Sequence, residues 1–216
     1  MRRLPIFILV DTSGKMAGDR IVLVNNKINE LISNLRQDPY ALETAYIFIA
    51  SYNMEMRVCL PLTELASGFD LLVFEAKSST PSMLGSALFS LESIFEKTIK
   101  KSTAGKKGDY PPELYILTGG KPSDSSAAHD AMEQLLNRWN MQLRVGLTSS
   151  TLVFSYESLF SFRVSNGGII ITDLSSTDGN YGVDKYRFIG LTFEATESLD
   201  TSIEISPPPK EIHISF

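Results

Sequence analysis

The chain has 216 residues, of which 43% are hydrophobic and 21% charged, with a formal net charge of -5 and an isoelectric point near 5.1. The acidic balance argues against a general nucleic-acid binder, because phosphate binding requires a basic surface. A chain of this length is sufficient for one well-buried α/β domain and is short for two.

The first predicted element is a strand from Pro5 to Asp11, which is apolar almost throughout and ends in a carboxylate. A run without polar alternation is typical of a strand that is buried on both faces of a parallel sheet. Thr12, Ser13 and Gly14 continue from Asp11 as a short polar loop before a helical pattern. Ligands of open α/β sheets bind outside the carboxyl ends of the strands, so this loop is the first candidate site.

Strands and amphipathic helices alternate along the next part of the chain. Apolar side chains recur at helical spacing in three segments, residues 19–36, 83–101 and 124–139. Shorter apolar runs predict strands at residues 44–51, 55–60, 113–118 and 142–148. The short link between residues 44–51 and 55–60 predicts a hairpin, and therefore one antiparallel strand at the sheet edge. The predicted fold class is an α/β, Rossmann-like doubly wound, mostly parallel sheet.

The C-terminal part of the sequence is less regular. Residues 152–162 are rich in aromatic side chains and fit either a strand or a helix, whereas residues 168–172 predict the last sheet strand or a β-ribbon. A turn-rich segment and a tail with a polyproline step follow. We predict a domain over residues 1–172 and an extension over residues 173–216 that packs on the same domain, with a tail lent to a partner as the alternative.

Cysteine content and the hydropathy pattern predict a cytoplasmic protein. The single cysteine, Cys59, cannot form an internal disulfide and fits a reducing compartment, where a buried structural thiol is expected. The N-terminal residues are basic and then apolar, but the apolar run is short and lacks a small-residue cleavage site. No segment approaches the roughly 18 or more apolar residues of a membrane-spanning helix.

A set of short motifs within residues 1–148 occurs together in one known family. They are Arg2-Arg3-Leu4-Pro5, Asp11-Thr12-Ser13-Gly14, the run from Leu35 to Thr44, Pro61-Leu62-Thr63-Glu64-Leu65, and the run from Ile116 to Asp124. On these motifs the chain resembles a von Willebrand factor A domain, and in particular the TerY-like bacterial A domains linked to tellurite resistance and stress response. The run Leu-Arg-Gln-Asp-Pro-Tyr-Ala-Leu-Glu-Thr is the most specific of the motifs.

The resemblance implies a metal-ion-dependent adhesion site formed by three loops, from which this chain departs. The first loop keeps Asp11 and Ser13, but Lys15 stands where the family has its third ligand, a serine. The second loop places Ser82 where the family has a threonine, with Thr80 as a nearby hydroxyl.

The third loop reads Leu-Thr-Gly-Gly where the family has Leu-Thr-Asp-Gly, so Gly119 replaces an aspartate. A hard cation needs converging oxygen ligands, and the loss of this carboxylate together with the gain of Lys15 predicts a degenerate metal site without a cofactor. An ammonium about 4 Å from the Asp11 carboxylate gains about 4 kcal/mol at an effective dielectric constant of about 20, before desolvation and ordering costs. An ion pair between Lys15 and Asp11 would therefore take the place of Mg²⁺. A Lys15 side chain that projects into solvent is the competing geometry.

The resemblance also implies a function, a non-catalytic protein-interaction module. TerY-like proteins are found alongside a PP2C-type phosphatase and a protein kinase. We therefore expect a scaffold or regulator of a phosphorylation-linked stress or tellurite-resistance system, with either protein as partner and with no nucleic acid or membrane as partner. The predicted partner-binding face consists of Ser13, Lys15, Met16, Thr80, Ser82, Lys121 and Asp124.

Two other functions are compatible with the same residues. One is a working Mg²⁺-dependent adhesion domain, in which a carboxylate of the partner completes the cation shell. The other is an enzyme or a small-ligand-binding protein that uses the same crevice. Catalysis is not expected, because His129 and His213 lie outside the motifs, no phosphate loop or zinc spacing occurs, and Ser13 lacks a neighbouring base.

Overall fold

The computed structural model describes residues 2–149 and 169–174, together with residues 155 and 159. The strands are β1 (Leu4–Asp11), β2 (Ala45–Tyr52), β3 (Met56–Glu64), β4 (Glu113–Thr118), β5 (Gln142–Leu147) and β6 (Ile169–Asp173). The helices are α1 (Asp19–Gln37), α2 (Pro39–Thr44), α3 (Leu84–Thr98) and α4 (Ser125–Trp139), and short 3-10 helices cover Gly14–Met16 and Leu65–Ser67.

The described strands form one six-stranded sheet in the order β3-β2-β1-β4-β5-β6. Neighbouring strands are parallel, with the exception of β2 and β3, which form an antiparallel hairpin at one edge. The register of β1 and β2 pairs Leu4 with Ala45 and Asp11 with Tyr52, so both strands end at the same level. The predicted fold class, a mostly parallel doubly wound sheet with one antiparallel edge strand, is confirmed.

Helices cover both faces of this sheet. On one face, Phe7 and Leu9 of β1 belong to a core cluster with residues of α3 and α4. On the other face, Ile6, Ile8 and Val10 pack in a second cluster with α1. Side chains alternate between the two faces of a strand, and both faces are covered here, so every residue of β1 is buried. This arrangement accounts for the apolar run at the start of the sequence.

The helix predicted over residues 19–36 is α1, which extends to Gln37, and a second helix, α2, begins at Pro39. The Asp38 carboxylate accepts hydrogen bonds from the backbone N–H groups of Tyr40 (2.7 Å) and Ala41 (2.9 Å). Pro39 occupies the first helical position, where its missing N–H is not needed. Asp38-Pro39 therefore ends one helix and caps the next, and this second helix was not among the predicted segments.

Strand β3 extends to Glu64, four residues beyond the predicted 55–60 segment, and includes Pro61. A proline is tolerated there because β3 lies at the edge of the sheet, where no ladder hydrogen bond is required on the outer side. The thiol of Cys59 is half-buried rather than buried, with its Sγ 3.6 Å from the Ser51 hydroxyl oxygen.

At the C-terminal end, the strand predicted at residues 168–172 is β6, which pairs in parallel with β5. The aromatic tract at residues 152–162, apart from positions 155 and 159, and the extension beyond Leu174 lie outside the described residues. The predicted division into residues 1–172 and 173–216 stays a prediction. Among the described helices, none is long and apolar enough to cross a membrane.

Gly85 provides a test of how closely α3 and α4 approach. A Cβ atom at this position would lie 2.6 Å from the Ala127 carbonyl carbon and 2.6 Å from the Ala128 backbone nitrogen. Replacing glycine by alanine in a helix usually stabilises it by about 1 kcal/mol. Overpacking costs about 1–3 kcal/mol, and here the neighbouring atoms belong to the backbone of α4, which cannot move aside as a side chain can. We therefore expect Gly85→Ala to lower the free energy of unfolding by about 1–2 kcal/mol in urea titrations.

The matched control is Ser90→Ala, on the exposed side of α3, whose hydroxyl donates only to the Ser86 carbonyl oxygen. We expect its free energy of unfolding to stay within about 0.5 kcal/mol of the parent value. An equal gain in stability for both variants would show that α3 and α4 are farther apart than described.

Candidate functional site

Three loops meet at the carboxyl edge of the sheet, where the parallel strands end. Loop 1 (residues 12–18) follows β1, loop 2 (residues 77–83) precedes α3, and loop 3 (residues 119–124) follows β4. Because β1 and β4 are neighbours and parallel, loops 1 and 3 lie side by side, as expected for a crevice in an open α/β sheet. Asp11, the last residue of β1, lies at the centre of this arrangement.

The Asp11 carboxylate is fully buried and is hydrogen-bonded by groups of the chain itself. Its Oδ1 accepts from the backbone N–H of Ser13 at 2.8 Å. Its Oδ2 accepts from the hydroxyl groups of Ser82 at 2.9 Å and Thr118 at 2.8 Å. All four residues are 0% exposed, so these contacts are closed to solvent. Such donors offset the large cost of removing a carboxylate from water.

Asp11, Ser13 and Ser82, which the family resemblance predicts as one cluster, lie together in the structure. Thr118 was not among the predicted site residues, although it is the polar residue at the end of a buried strand, which was the available signal. The hydroxyl oxygen of Ser13 is itself buried and has no hydrogen-bond partner in the described part of the chain.

Lys15 does not form the ion pair with Asp11 that the sequence analysis considered. Its ammonium donates instead to the backbone carbonyl oxygen of Lys121, at 2.5 Å, on the exposed side of loop 3. The aliphatic part of the side chain crosses Gly120, where an added Cβ atom would lie 2.3 Å from the Lys15 Cδ. The physical reason is that Asp11 is sealed beneath the loops, whereas the carbonyl group of Lys121 is within reach at the surface.

Arg20, the second residue of α1, makes a further connection that the sequence did not reveal. Its Nη1 donates to the carbonyl oxygens of Lys15 at 2.8 Å and Gly119 at 3.1 Å. An added Cβ atom at Gly119 would lie 2.7 Å from the Met16 sulfur and 2.8 Å from the Thr148 hydroxyl oxygen. The space that an aspartate would need at position 119 is therefore occupied by other side chains.

Backbone hydrogen bonds join the second loop to its neighbours. The N–H of Gly14 donates to the carbonyl oxygen of Thr80 at 3.1 Å, and the N–H of Ser123 donates to that of Ser82 at 2.8 Å. The Asp124 carboxylate accepts from the backbone N–H of Ser86 at 3.0 Å, in the first turn of α3. Each loop is thus bonded to both others, which makes the carboxyl edge one connected surface.

Solvent exposure reduces the number of residues of the predicted partner-binding face that a partner could contact. Ser13, Met16 and Ser82 are fully buried, so a partner cannot touch their side chains in this arrangement. The side chains that remain accessible are the exposed Lys15 and Lys121 and the partly exposed Thr80 and Asp124.

The imidazole of His129 lies away from this edge. His129 is on α4, with its Nδ1 2.7 Å from the Leu159 carbonyl oxygen. Across residues 2–149, 155, 159 and 169–174, no group of three or more His, Cys, Asp or Glu side chains is placed to hold a metal ion.

The amino-acid sequence matches no protein-family profile and no curated protein. Solved structures, in contrast, share the fold. The PilB minor pilin from Streptococcus sanguinis matches with a TM-score of 0.58 and 9% identity, over 94% of this chain and 64% of the pilin. The ArnB paralog VWA2 from Sulfolobus acidocaldarius matches with a TM-score of 0.51 and 14% identity, over 81% of this chain and 43% of VWA2.

A third structure, the SpRpn10 VWA domain, matches with a TM-score of 0.52 and 10% identity, over 82% of this chain and 90% of that domain. The chain thus spans less than two thirds of the pilin and less than half of VWA2. At these identities the likeness is one of fold alone, and it shows that the chain has a von Willebrand factor A-like fold.

Asp11→Asn tests how strongly the buried carboxylate holds this edge together. An asparagine side chain has one acceptor oxygen in place of two. Its NH₂ group would point either at the Ser13 N–H or at the hydroxyl groups of Ser82 and Thr118, so that one donor would face another. Leaving a buried donor or acceptor unsatisfied costs about 1–3 kcal/mol, and we expect that loss in the free energy of unfolding, measured by urea titration.

Asp19→Asn is the matched control, since Asp19 is an exposed aspartate in the first turn of α1. Its contribution through the helix dipole is about 0.3–1 kcal/mol, so its loss of stability should be the smaller one. Equal losses for the two variants would contradict the network described for Asp11.

Proposed function

We propose that this chain is a non-catalytic protein-interaction module that acts as a scaffold or regulator. Its von Willebrand factor A-like fold indicates an interaction or adhesion module. The described residues of the carboxyl edge support a binding role over a chemical one. Ser13, the nucleophile candidate, has its hydroxyl group buried without a base as partner, and His129 is on a helix elsewhere.

The observation that carries the proposal is the closure of the carboxyl edge over Asp11. A divalent cation such as Mg²⁺ requires accessible oxygen ligands, usually with carboxylates among them. Here both oxygens of Asp11 are engaged by protein donors, and two cationic side chains lie nearby, Lys15 on loop 1 and Arg20 at the start of α1. This donor set does not fit a divalent cation, so in our proposal partner binding does not depend on one.

For the biological setting we propose a bacterial TerY-type system, a phosphorylation-linked stress or tellurite-resistance response in the cytoplasm. The support is the resemblance of the sequence motifs, above all the run from Leu35 to Thr44, to TerY-like A domains. The partners we propose on that basis are a PP2C-type phosphatase, a protein kinase, or both. Such a partner would contact the exposed side chains of the carboxyl edge, Lys15 and Lys121, together with Thr80 and Asp124.

A pull-down from native lysate tests this function, with the purified full chain as bait in parallel lanes containing Mg²⁺ or EDTA. We expect mass spectrometry to identify a phosphatase or kinase at equal recovery in both lanes. Recovery in the Mg²⁺ lane alone would support the alternative function, a working metal-dependent adhesion domain, and would overturn the metal-free proposal.

Two charge reversals locate the contact surface in the same assay. Lys121→Glu should reduce recovery of the partner, because Lys121 is exposed at the centre of loop 3. Lys107→Glu is the matched control, since Lys107 is an equally exposed lysine in the loop before β4, at the opposite end of the sheet. Unchanged recovery with Lys121→Glu would place the partner elsewhere on the molecule.

Gly119→Asp tests whether one residue could restore a metal site. The added side chain would meet the Met16 sulfur and the Thr148 hydroxyl oxygen, so we expect the free energy of unfolding to fall by about 1–3 kcal/mol. We also expect the melting temperature of this variant to be the same in Mg²⁺ and in EDTA. A variant that Mg²⁺ stabilises would show that the surrounding loops still accept a cation.

A further inference from the structure

Exposed apolar side chains concentrate near the β3 edge of the sheet. Among the described residues, the large hydrophobic side chains that are clearly exposed are Val73 (78%), Met54 (60%), Val22 (55%), Val58 (46%), Phe89 (46%) and Leu71 (42%). Four of them belong to two segments, the β2–β3 turn with β3, and residues 69–77, here called the extended segment. Single exposed hydrophobic residues are ordinary, but a cluster at a sheet edge marks an interaction site.

A cavity of about 360 Å³ separates these two segments. One wall consists of Met56, Arg57 and Cys59 of β3 with Glu55, and the other of Leu72 to Glu75 with Lys77 of the extended segment. Its volume lies in the range of pockets that take small ligands or side chains. The cavity reaches Thr12 but not Asp11, so it is distinct from the closed carboxyl edge.

Both walls of the cavity contain backbone segments that could form hydrogen bonds with an added strand. Strand β3 pairs with β2 on one side, and among the described residues no strand pairs with its outer side. The extended segment is held at three points. Arg36 donates to the Phe69 carbonyl oxygen, and the Asn25 side chain exchanges two hydrogen bonds with the backbone of Phe74. At the end of the segment, the Lys77 N–H donates to the Thr12 carbonyl oxygen at 2.8 Å. Among the described residues, no backbone–backbone hydrogen bond involves residues 70–73.

The side chains of the extended segment alternate as in a strand. Leu72 and Phe74 face the core beside α1, whereas Leu71 and Val73 face outward. On the other side of β3, Val58 pairs with Ala50 and so belongs to the face that α3 covers. A strand added along β3 would therefore find apolar contacts on both of its faces, Val73 on one and Val58 on the other.

We propose that residues 56–60 of β3 form a docking site for an extended peptide segment of a protein partner, which adds a strand to the sheet and places an aliphatic or aromatic side chain in the cavity. Pro61 has no N–H and sets the end of the usable edge. This site deepens the proposed function and rests on it, since it assigns the scaffold a second surface besides the carboxyl edge.

The charges at the mouth of the cavity define the occupant further. Glu55 and Glu75 are balanced by Arg57 and Lys77. A mouth with equal numbers of both signs favours neither a polyanion, such as a nucleic acid, nor a polycation. It fits a peptide of low net charge, with apolar side chains at alternate positions and polar ones between them.

The experiment is a selection of a displayed library of random linear peptides on the immobilised full chain. We expect the selected peptides to share apolar side chains at alternate positions. A synthetic peptide with the selected sequence should lose about tenfold or more in affinity with Val73→Asp and with Val58→Asp, because each variant removes an apolar contact on one face. Amide hydrogen exchange of residues 56–60 should slow when the peptide binds.

Two control variants separate this site from other surfaces. Phe89→Asp changes an apolar side chain on α3 that is as exposed as Val58, and Lys121→Glu changes the carboxyl edge, so neither should alter the affinity for the peptide. Selection of no peptide, or of peptides insensitive to both valine variants, would overturn the docking site. The recovery of a phosphatase or kinase in the pull-down is independent of either outcome, so the proposed function would stand or fall separately.

Discussion

The buried Asp11 carboxylate is the constraint on which the functional end of this fold depends. A carboxylate in a dry interior is tolerated when protein donors replace its water, and here the donors come from three places, loop 1, loop 2 and the end of β4. Ser82 and Thr118 must therefore lie at fixed positions beside β1. With Ser82 and Thr118 at these positions, loops 1, 2 and 3 are in contact, and their backbones can form hydrogen bonds with one another.

Loop 3 is packed as one unit with loop 1. The Lys15 side chain occupies the space that a side chain at position 120 would need. Met16 and Arg20 occupy the space that a side chain at position 119 would need. At position 119 the conflict is with the buried Met16, whereas at position 120 a larger residue would have to displace the exposed Lys15 side chain. A single substitution toward the family pattern thus introduces a steric conflict. The two glycines are better understood as part of the packing of this edge than as isolated losses of a ligand.

Those parts of the structure that depend on pattern alone could be predicted from the sequence. The apolar runs located β1 and β4, and helical spacing located α1. The grouping of Asp11, Ser13 and Ser82 was predicted from the family resemblance and not from the pattern, since Ser82 does not follow a parallel strand. The direction of the Lys15 side chain could not be predicted. Its ammonium group could pair with the nearby Asp11 carboxylate, and the acceptor that it contacts in the structure, the Lys121 carbonyl oxygen, is 106 positions away in the sequence. The choice depends on burial, which is a property of the assembled loops. The second helix, which begins at Pro39, was missed because Asp38 both ends α1 and caps the N-terminus of α2.

The two proposed surfaces differ in the state of their polar groups, and this difference bears on how each could bind a partner. At the carboxyl edge the loops satisfy one another, so a partner would gain mainly from charged side chains at the surface, whose interactions are weak and depend on salt. At β3 the open backbone can form main-chain hydrogen bonds to any extended peptide, and the neighbouring valines add apolar contact. The carboxyl edge is thus suited to orienting a partner by charge, whereas the β3 edge is suited to holding it.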